Sequence, residues 1–133
     1  MTITVVRDRS APMRQHIHVR DHVLVADEPV ANGGEDAGPD PHDLYDAALG
    51  ACKALTTLWY ARRNGIPVED MTVVVERDNT EERAGTYRLR TLLSVTGDLS
   101  ESDRERLLAV ASKCPLHKLM TQVKTEVETA WAE

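Results

Sequence analysis

The sequence predicts an α+β domain with the element order β-β-β-α-β-β-α-β and mainly antiparallel strands. Short segments of alternating hydrophobicity precede one long, apolar helical pattern, and two more alternating segments precede a second helix. The chain has 133 residues and is 41% hydrophobic. This size and composition are typical of one globular domain, which we predict over residues 1–133.

The first part of the chain predicts three strands joined by tight turns. They lie at Thr2–Arg7, Arg14–Val19 and Val23–Ala26, which is the pattern of an antiparallel meander. Residues 29–41 follow with three prolines and three glycines. This composition excludes a helix or a central strand, so we predict a surface loop there.

A long helix is predicted from Leu44 to Arg62. Asp40 can cap its start, Pro41 suits its first position, and Asp43 lies three residues after the cap. Asn64 and Gly65 end the helix. The apolar residues on one face are Leu44, Ala48, Ala51, Leu55 and Leu58. Because the helix carries few charges, we predict a central helix that is buried on most sides and covered in part by a second subunit.

Two strands and a second helix follow. The strands are predicted at Met71–Arg77 and Tyr87–Thr96. Ser100 and Asp103 form the start signal of a helix that runs to about Lys113. Its inner face is predicted to consist of Leu107, Val110 and Ala111.

The last part of the chain predicts a short helical turn and a final strand. Pro115 interrupts the second helix and opens the turn. Val123, Thr125, Val127 and Thr129 then alternate with polar residues. We therefore predict a strand over these positions.

The charge and hydropathy patterns exclude several function classes. The formal net charge is −6, and no basic block gives the electrostatic footprint of nucleic-acid or anionic-lipid binding. No apolar run approaches the length of about 20 residues that spans a membrane. The N-terminal segment lacks the pattern of a secretory signal, so we predict a cytoplasmic protein. A permanent disulfide is not expected in that compartment.

The two cysteines, Cys52 and Cys114, are the candidate reactive residues. Free cysteines are often inert core residues. However, Cys114 lies at the start of a helical turn among Lys113, His117 and Lys118, and positive charge lowers a thiol pKa. One thiol on each of two helices is also the requirement for a two-cysteine redox centre. By the dipole argument Cys114 is the more acidic thiol, so this reasoning leaves the attacking sulfur open.

Three histidines near the N-terminus suggest an alternative metal site. His16 and His18 share one face of a predicted strand, and His22 follows after a turn. Tight metal sites need three or four convergent ligands. We interpret the histidines as polar residues of edge strands and predict no metal.

Two segments around the cysteines resemble a known family. Residues 38–52, GPDPHDLYDAALGAC, and residues 113–118, KCPLHK, are similar to the two cysteine motifs of the osmotically inducible protein C and organic hydroperoxide resistance family (OsmC/Ohr). Residues 65–68, GIPV, and 97–100, GDLS, fall at the usual points between them. The resemblance covers nearly the whole chain.

The resemblance implies a thiol-dependent peroxidase. Members of the OsmC/Ohr family are intertwined α+β homodimers with active sites at the subunit interface. Cys52 would be the peroxidatic thiolate that attacks an organic hydroperoxide, and Cys114 the resolving thiol. A dithiol reductant such as a lipoylated protein would restore the pair, without metal, haem or flavin as cofactor.

One position departs from the family pattern. The third residue of the family's N-P-E-x-L segment is a glutamate that orients an arginine toward the thiolate, and His42 stands there in this chain. Asp43 is acidic but lies about 100° around the helix. Arg9 and Arg14 are the candidates for the assisting arginine. The departure motivates the alternative of a weakly catalytic or non-catalytic dimer that acts in stress sensing or ligand binding.

Overall fold

The computed structural model describes residues 1–132, and it confirms the predicted α+β class. The backbone groups into two compact units, residues 1–47 and the chain from residue 48 onward. The single domain over 1–133 stays a prediction. In chain order the elements are β1 Ile3–Arg7, β2 Gln15–Val19, β3 His22–Ala26, α1 Pro41–Arg63, β4 Val68–Asp78, β5 Arg88–Gly97, α2 Glu101–Ala111 and α3 Pro115–Thr121.

The first unit contains an antiparallel sheet of order β1-β2-β3. Ile17 on the central strand pairs with Val5 on one side and with Leu24 on the other. This confirms the predicted meander. Several of its large apolar residues are exposed, including Val5 and Leu24.

A buried carboxylate organises the loop after β3. Asp27 accepts hydrogen bonds from the backbone N–H groups of Glu28 at 2.8 Å, Ala37 at 3.1 Å and Glu35 at 3.2 Å. The hydrogen bond from Ala37 is the main cause of the lowered pKa of Asp27, and those from Glu28 and Glu35 lower it further against the opposing effect of burial. The loop is therefore folded around one ionised side chain.

Replacing Asp27 by asparagine is expected to lower the midpoint of thermal unfolding at pH 7 by several degrees. The pKa of Asp27 is lower in the folded chain. Its ionised form therefore stabilises the fold above about pH 4, and this stabilisation is lost as the pH falls through the folded-state pKa. The difference between the parent chain and Asp27→Asn should consequently narrow in acid.

Circular dichroism melts at pH 7 and at more acidic pH would measure this difference. Asp36→Asn is the matched control, because Asp36 is an exposed carboxylate in the same loop. The role assigned to Asp27 is wrong if the two variants unfold at the same temperature at pH 7.

The predicted ends of the long helix are confirmed within a few residues. The N–H of Asp43 donates to the Asp40 carboxylate at 2.8 Å, and the N–H of Asp40 donates to the Asp43 carboxylate at 3.1 Å. This reciprocal capping fixes the start of α1. Gly65 has a φ of 63° just beyond the C-terminus, a conformation that glycine adopts at little cost.

Within a single chain α1 is not buried on most sides, and its predicted cover by a second subunit stays a prediction. The predicted apolar face is largely exposed: Leu55 retains 67% of its accessible surface, and Ala48, Ala51 and Leu58 are also exposed. The buried face lies about 180° away and contains both apolar and polar residues. These are Asp46, Leu49, Gly50, Lys53, Thr57 and Ala61.

The second unit contains the antiparallel pair β4-β5. Alternate residues of both strands are partly buried, and Val73 pairs with Leu93. Gly50 allows α1 to approach this pair, since a Cβ at Gly50 would lie 2.9 Å from Cγ2 of Val75. A small apolar core consists of Ala61, Ile66 and Leu107, with Tyr60, Val68 and Leu99 packed against it.

The second helix and the short turn after it are confirmed. Ser100 accepts a hydrogen bond from the N–H of Asp103 at 3.0 Å, and the Asp103 carboxylate accepts one from the N–H of Ser100 at 3.2 Å. Leu107 and Ala111 are buried on the inner face of α2. Pro115 starts α3, and Cys114 caps it.

The predicted last strand over residues 123–129 is wrong. The described chain after α3, residues 122–132, contains no strand, and its side chains are exposed. A strand requires a neighbouring edge for its backbone hydrogen bonds. Within the described residues β4 and β5 pair only with each other, so the alternating sequence has no partner strand.

Within residues 1–132, no helix combines the length and hydrophobicity needed to cross a membrane.

Candidate active site

Cys52 lies near the middle of α1, on the border between its buried and exposed faces. Its thiol is free and partly buried. The hydroxyl of Thr56, one turn later, lies 4.0 Å from its Sγ. The sulfur of Cys52 is therefore the more accessible of the two.

Cys114 occupies the N-cap position of α3, just after the end of α2, and is fully buried. Burial raises the pKa of its thiol, the Cys52 thiol raises it further, and the backbone amide of His117 and the charge of Lys53 lower it in part. The two cysteines are thus close enough to interact. The expectation of Cys114 as an acidic thiol at a helix start is wrong, because burial outweighs the positive end of a helix of one or two turns.

Lys53 is a site residue that the sequence analysis did not select. It follows Cys52 on the buried face of α1, with only 2% of its surface exposed. Its Nζ lies 2.8 Å from the carbonyl oxygen of Ala111 and 2.9 Å from Nδ1 of His117. The signal available in the sequence for Lys53 was its position on the helix face opposite the apolar residues.

The two lysines that flank Cys114 in the sequence are exposed to solvent. Lys113 and Lys118 are exposed, whereas His117 is half-buried and contacts Lys53. The cation that lowers the pKa of the Cys114 thiol is therefore Lys53, on a different helix, and not Lys113 or Lys118.

The candidate arginines both belong to the first unit. Arg14 is half-buried, and its guanidinium lies 3.6 Å from the carboxylate of Asp8 and 3.3 Å from that of Glu35. Arg9 is exposed. The assisting role of either arginine stays a prediction.

His42 and Asp43 lie in the first turn of α1 and are both exposed. Asp43 is engaged in the reciprocal capping with Asp40 described above. Its carboxylate therefore has a structural role at this helix start. Any assistance from His42 or Asp43 to the thiols stays a prediction.

The structure does not bring the three histidines together as a metal site. The Nε2 atom of His16 lies 3.0 Å from the carboxylate of Asp8, while His18 and His22 are exposed. Among residues 1–132, no group of three or more His, Cys, Asp and Glu side chains is arranged to hold a metal ion.

Two interacting cysteines, one on α1 and one at the N-cap position of α3, define a dithiol site in an α+β fold, and comparison with known families identifies the family. The model of the OsmC family, described as OsmC-like protein, matches residues 33–129. The chain belongs to this family. No curated protein matches the sequence.

Solved structures share this fold over most of their length. An OsmC like protein from Mycoplasma pneumoniae is 20% identical, with 92% of this chain and 87% of that chain covered and a TM-score of 0.74. An organic hydroperoxide resistance protein OsmC from Legionella pneumophila, also described as a predicted redox protein and regulator of sulfide bond formation, is 25% identical, with 92% and 90% covered and a TM-score of 0.61. The organic hydroperoxide resistance protein OhrB of Bacillus subtilis is 22% identical, with 91% and 90% covered and a TM-score of 0.59.

Proposed function

We propose that this protein is a thiol-dependent peroxidase that reduces organic hydroperoxides in oxidative stress defence. One observation carries the proposal. A partly exposed Cys52 and a fully buried Cys114 interact within one compact unit of an OsmC-family chain. Structural neighbours named as organic hydroperoxide resistance proteins support the substrate class.

The difference in burial supports different roles for the two sulfurs. A hydroperoxide must reach the sulfur that attacks it, and Cys52 is the accessible one. The Cys52 thiolate attacks the terminal oxygen, the O–O bond breaks, and the leaving alkoxide takes a proton to become an alcohol. The sulfenic acid of Cys52 then reacts with the Cys114 thiol, which forms a disulfide and releases water.

The cycle closes with an external dithiol. A reductant such as a lipoylated protein returns the disulfide to two thiols and is itself oxidised to a disulfide. The proposed chemistry needs only sulfur and the hydroperoxide, without a metal or an organic cofactor. We place the protein in the cytoplasm, where thiols are kept reduced.

We further propose that the functional form is a homodimer joined through α1. The outward face of this helix carries a row of exposed apolar residues: Ala48, Ala51, Leu55, Leu58 and Trp59. Such a continuous apolar surface is typical of an interface. A second copy presents the same surface and is therefore a complementary partner under twofold symmetry. The alternating segment 123–129, which has no partner strand among residues 1–132, fits the same proposal.

The disulfide is the intermediate that tests the proposed function. Reduced protein treated with one equivalent of cumene hydroperoxide is expected to yield a Cys52–Cys114 crosslink in non-reducing peptide mass spectrometry. In Cys114→Ser the crosslink is absent, and the sulfenic acid of Cys52 is trapped by dimedone instead. If the parent chain yields no crosslink, this peroxidase mechanism is wrong.

A second candidate function is a weakly catalytic or non-catalytic dimer that senses stress or binds a ligand. It is favoured by His42 at the position of the family's glutamate and by the structural use of Asp43 in helix capping. Under this alternative, cumene hydroperoxide oxidises Cys52 no faster than it oxidises a small free thiol. Under the proposed function the oxidation is much faster.

A further inference from the structure

Lys53 is a buried charged residue that has no role in the cycle proposed above. Lysine is almost never fully buried unless it is paired. In this chain the amine lies 2.8 Å from the carbonyl oxygen of Ala111 and 2.9 Å from Nδ1 of His117. Its charge is therefore held at one place in the second unit instead of extending into solvent.

The two groups that hold Lys53 lie on either side of Cys114 in the chain. Ala111 is the last residue of α2, and His117 lies in the first turn of α3. Each is three residues from Cys114. The Lys53 amine thus joins the end of α2 to the start of α3, and Cys114 lies between these two contact residues in the chain. Its charge is one of the influences that lower the pKa of Cys114, against the larger opposing effect of burial.

The contact with Lys53 also fixes the state of the His117 ring. An ammonium group has three hydrogen-bond donors and no acceptor. When Lys53 is charged, Nδ1 of His117 must accept, so the ring is neutral and its proton lies on Nε2. A protonated ring would place two cations 2.9 Å apart. His117 therefore acts as a neutral support for the lysine.

We propose that Lys53, held in position by His117, stabilises the thiolate of Cys114 during the step that closes the disulfide. The inference rests on the proposed peroxidase function. In this step the Cys114 thiolate attacks the sulfur of the Cys52 sulfenic acid, an S–S bond forms, and the S–O bond breaks. The leaving hydroxide takes up the proton that the Cys114 thiol released, and the product is water. Lys53 keeps its own proton throughout, and His117 is a positioning residue.

The groups that influence Cys114 come from two helices. The Cys52 thiol and the Lys53 ammonium belong to α1, and the backbone amide of His117 belongs to α3. Lys113 and Lys118 flank Cys114 in the sequence but are exposed. Of these side-chain cations, only Lys53 combines burial with an effect on this thiol, so its removal should have a distinct effect.

The test compares the rate of disulfide closure in Lys53→Met, His117→Leu and His117→Asn. Samples are quenched at intervals after one equivalent of cumene hydroperoxide, and sulfenic acid and disulfide are counted by mass spectrometry. Lys53→Met should close the disulfide about threefold to tenfold more slowly at pH 7, because a smaller fraction of Cys114 is then thiolate and the higher nucleophilicity of that thiolate offsets only part of the loss. The deficit should shrink as the pH rises, because the thiolate then forms without help.

His117→Leu should also slow closure, whereas His117→Asn should restore much of the rate because its amide oxygen accepts the hydrogen bond from Lys53. Lys113→Met is the matched control and should close at the parent rate. With Cys114→Ser present, Lys53→Met should not change the rate at which peroxide oxidises Cys52.

The outcomes separate this inference from the proposed function. If the parent chain forms no disulfide, both are wrong. If it does, and Lys53→Met and His117→Leu close as fast as the parent, the role of Lys53 is wrong and the proposed function stands. The inference is also overturned if Lys53→Met slows the oxidation of Cys52 as much as it slows closure. Thermal melts show which variants are folded, and His117→Leu supplies the test if Lys53→Met is not.

Discussion

Replacing Cys52 by serine is expected to lower the rate of cumene hydroperoxide reduction on the order of a thousandfold or more, as the loss of a covalent nucleophile does. The thiolate is the attacking species, and a serine hydroxyl is not ionised at neutral pH. Because Cys52 is partly exposed and the substitution changes one atom, the fold should be retained. Peroxide consumption with excess dithiol measures the effect.

Cys114→Ser is the matched control for this prediction. It should still consume one equivalent of peroxide in a first turnover, because the attacking sulfur is intact. The two variants therefore differ in the first turnover and not only in the steady state. Equal first-turnover rates for Cys52→Ser and the parent chain would mean that Cys52 is not the attacking residue.

Replacing Leu55 by glutamate is expected to convert the proposed homodimer into monomers. Leu55 lies on the outward apolar face of α1 and is 67% exposed in the single chain. An unpaired charge buried in an interface costs about 3–5 kcal/mol. Twofold symmetry introduces two such charges, so the dissociation constant should rise more than about a hundredfold. Light scattering after gel filtration measures the mass.

Leu108→Glu is a matched control for the dimer prediction, since Leu108 is 59% exposed on α2 and lies outside the apolar face of α1. It should remain dimeric. If the parent chain is a monomer, or if Leu55→Glu keeps the dimer mass, the assignment of this face as the interface is wrong.

The helix boundaries that were predicted well from the sequence are set by interactions between residues close together in the chain. The capping pairs at Asp40 and Ser100, the left-handed turn at Gly65 and the proline at the start of α3 each act within a few residues. Segment 123–129 differs because a strand depends on an edge elsewhere. Its residues do alternate between apolar and polar, but the described part of the single chain contains no strand that pairs with it.

The orientation of α1 shows why the site could be predicted only in part. The most apolar face was expected to be buried, in part by a second subunit. Within the single chain, the inner face carries Lys53 and Thr57, and each of these polar side chains has its own hydrogen-bond partners. The Thr57 hydroxyl donates to the Lys53 carbonyl at 2.7 Å, and the Lys53 amine contacts Ala111 and His117. Partners 58 and 64 residues away in the chain cannot be predicted from local periodicity.

The placement of the aromatic side chains has a practical consequence for spectroscopy. The two tryptophans of the sequence, Trp59 and Trp131, retain 58% and 90% of their accessible surface. Both indoles are therefore largely in contact with water in the folded single chain, with the Arg63 guanidinium 5.1 Å from the centre of the Trp59 ring. Trp59 lies among the outward residues of α1, so docking of another copy there would dehydrate it. Intrinsic fluorescence should consequently respond to protein concentration.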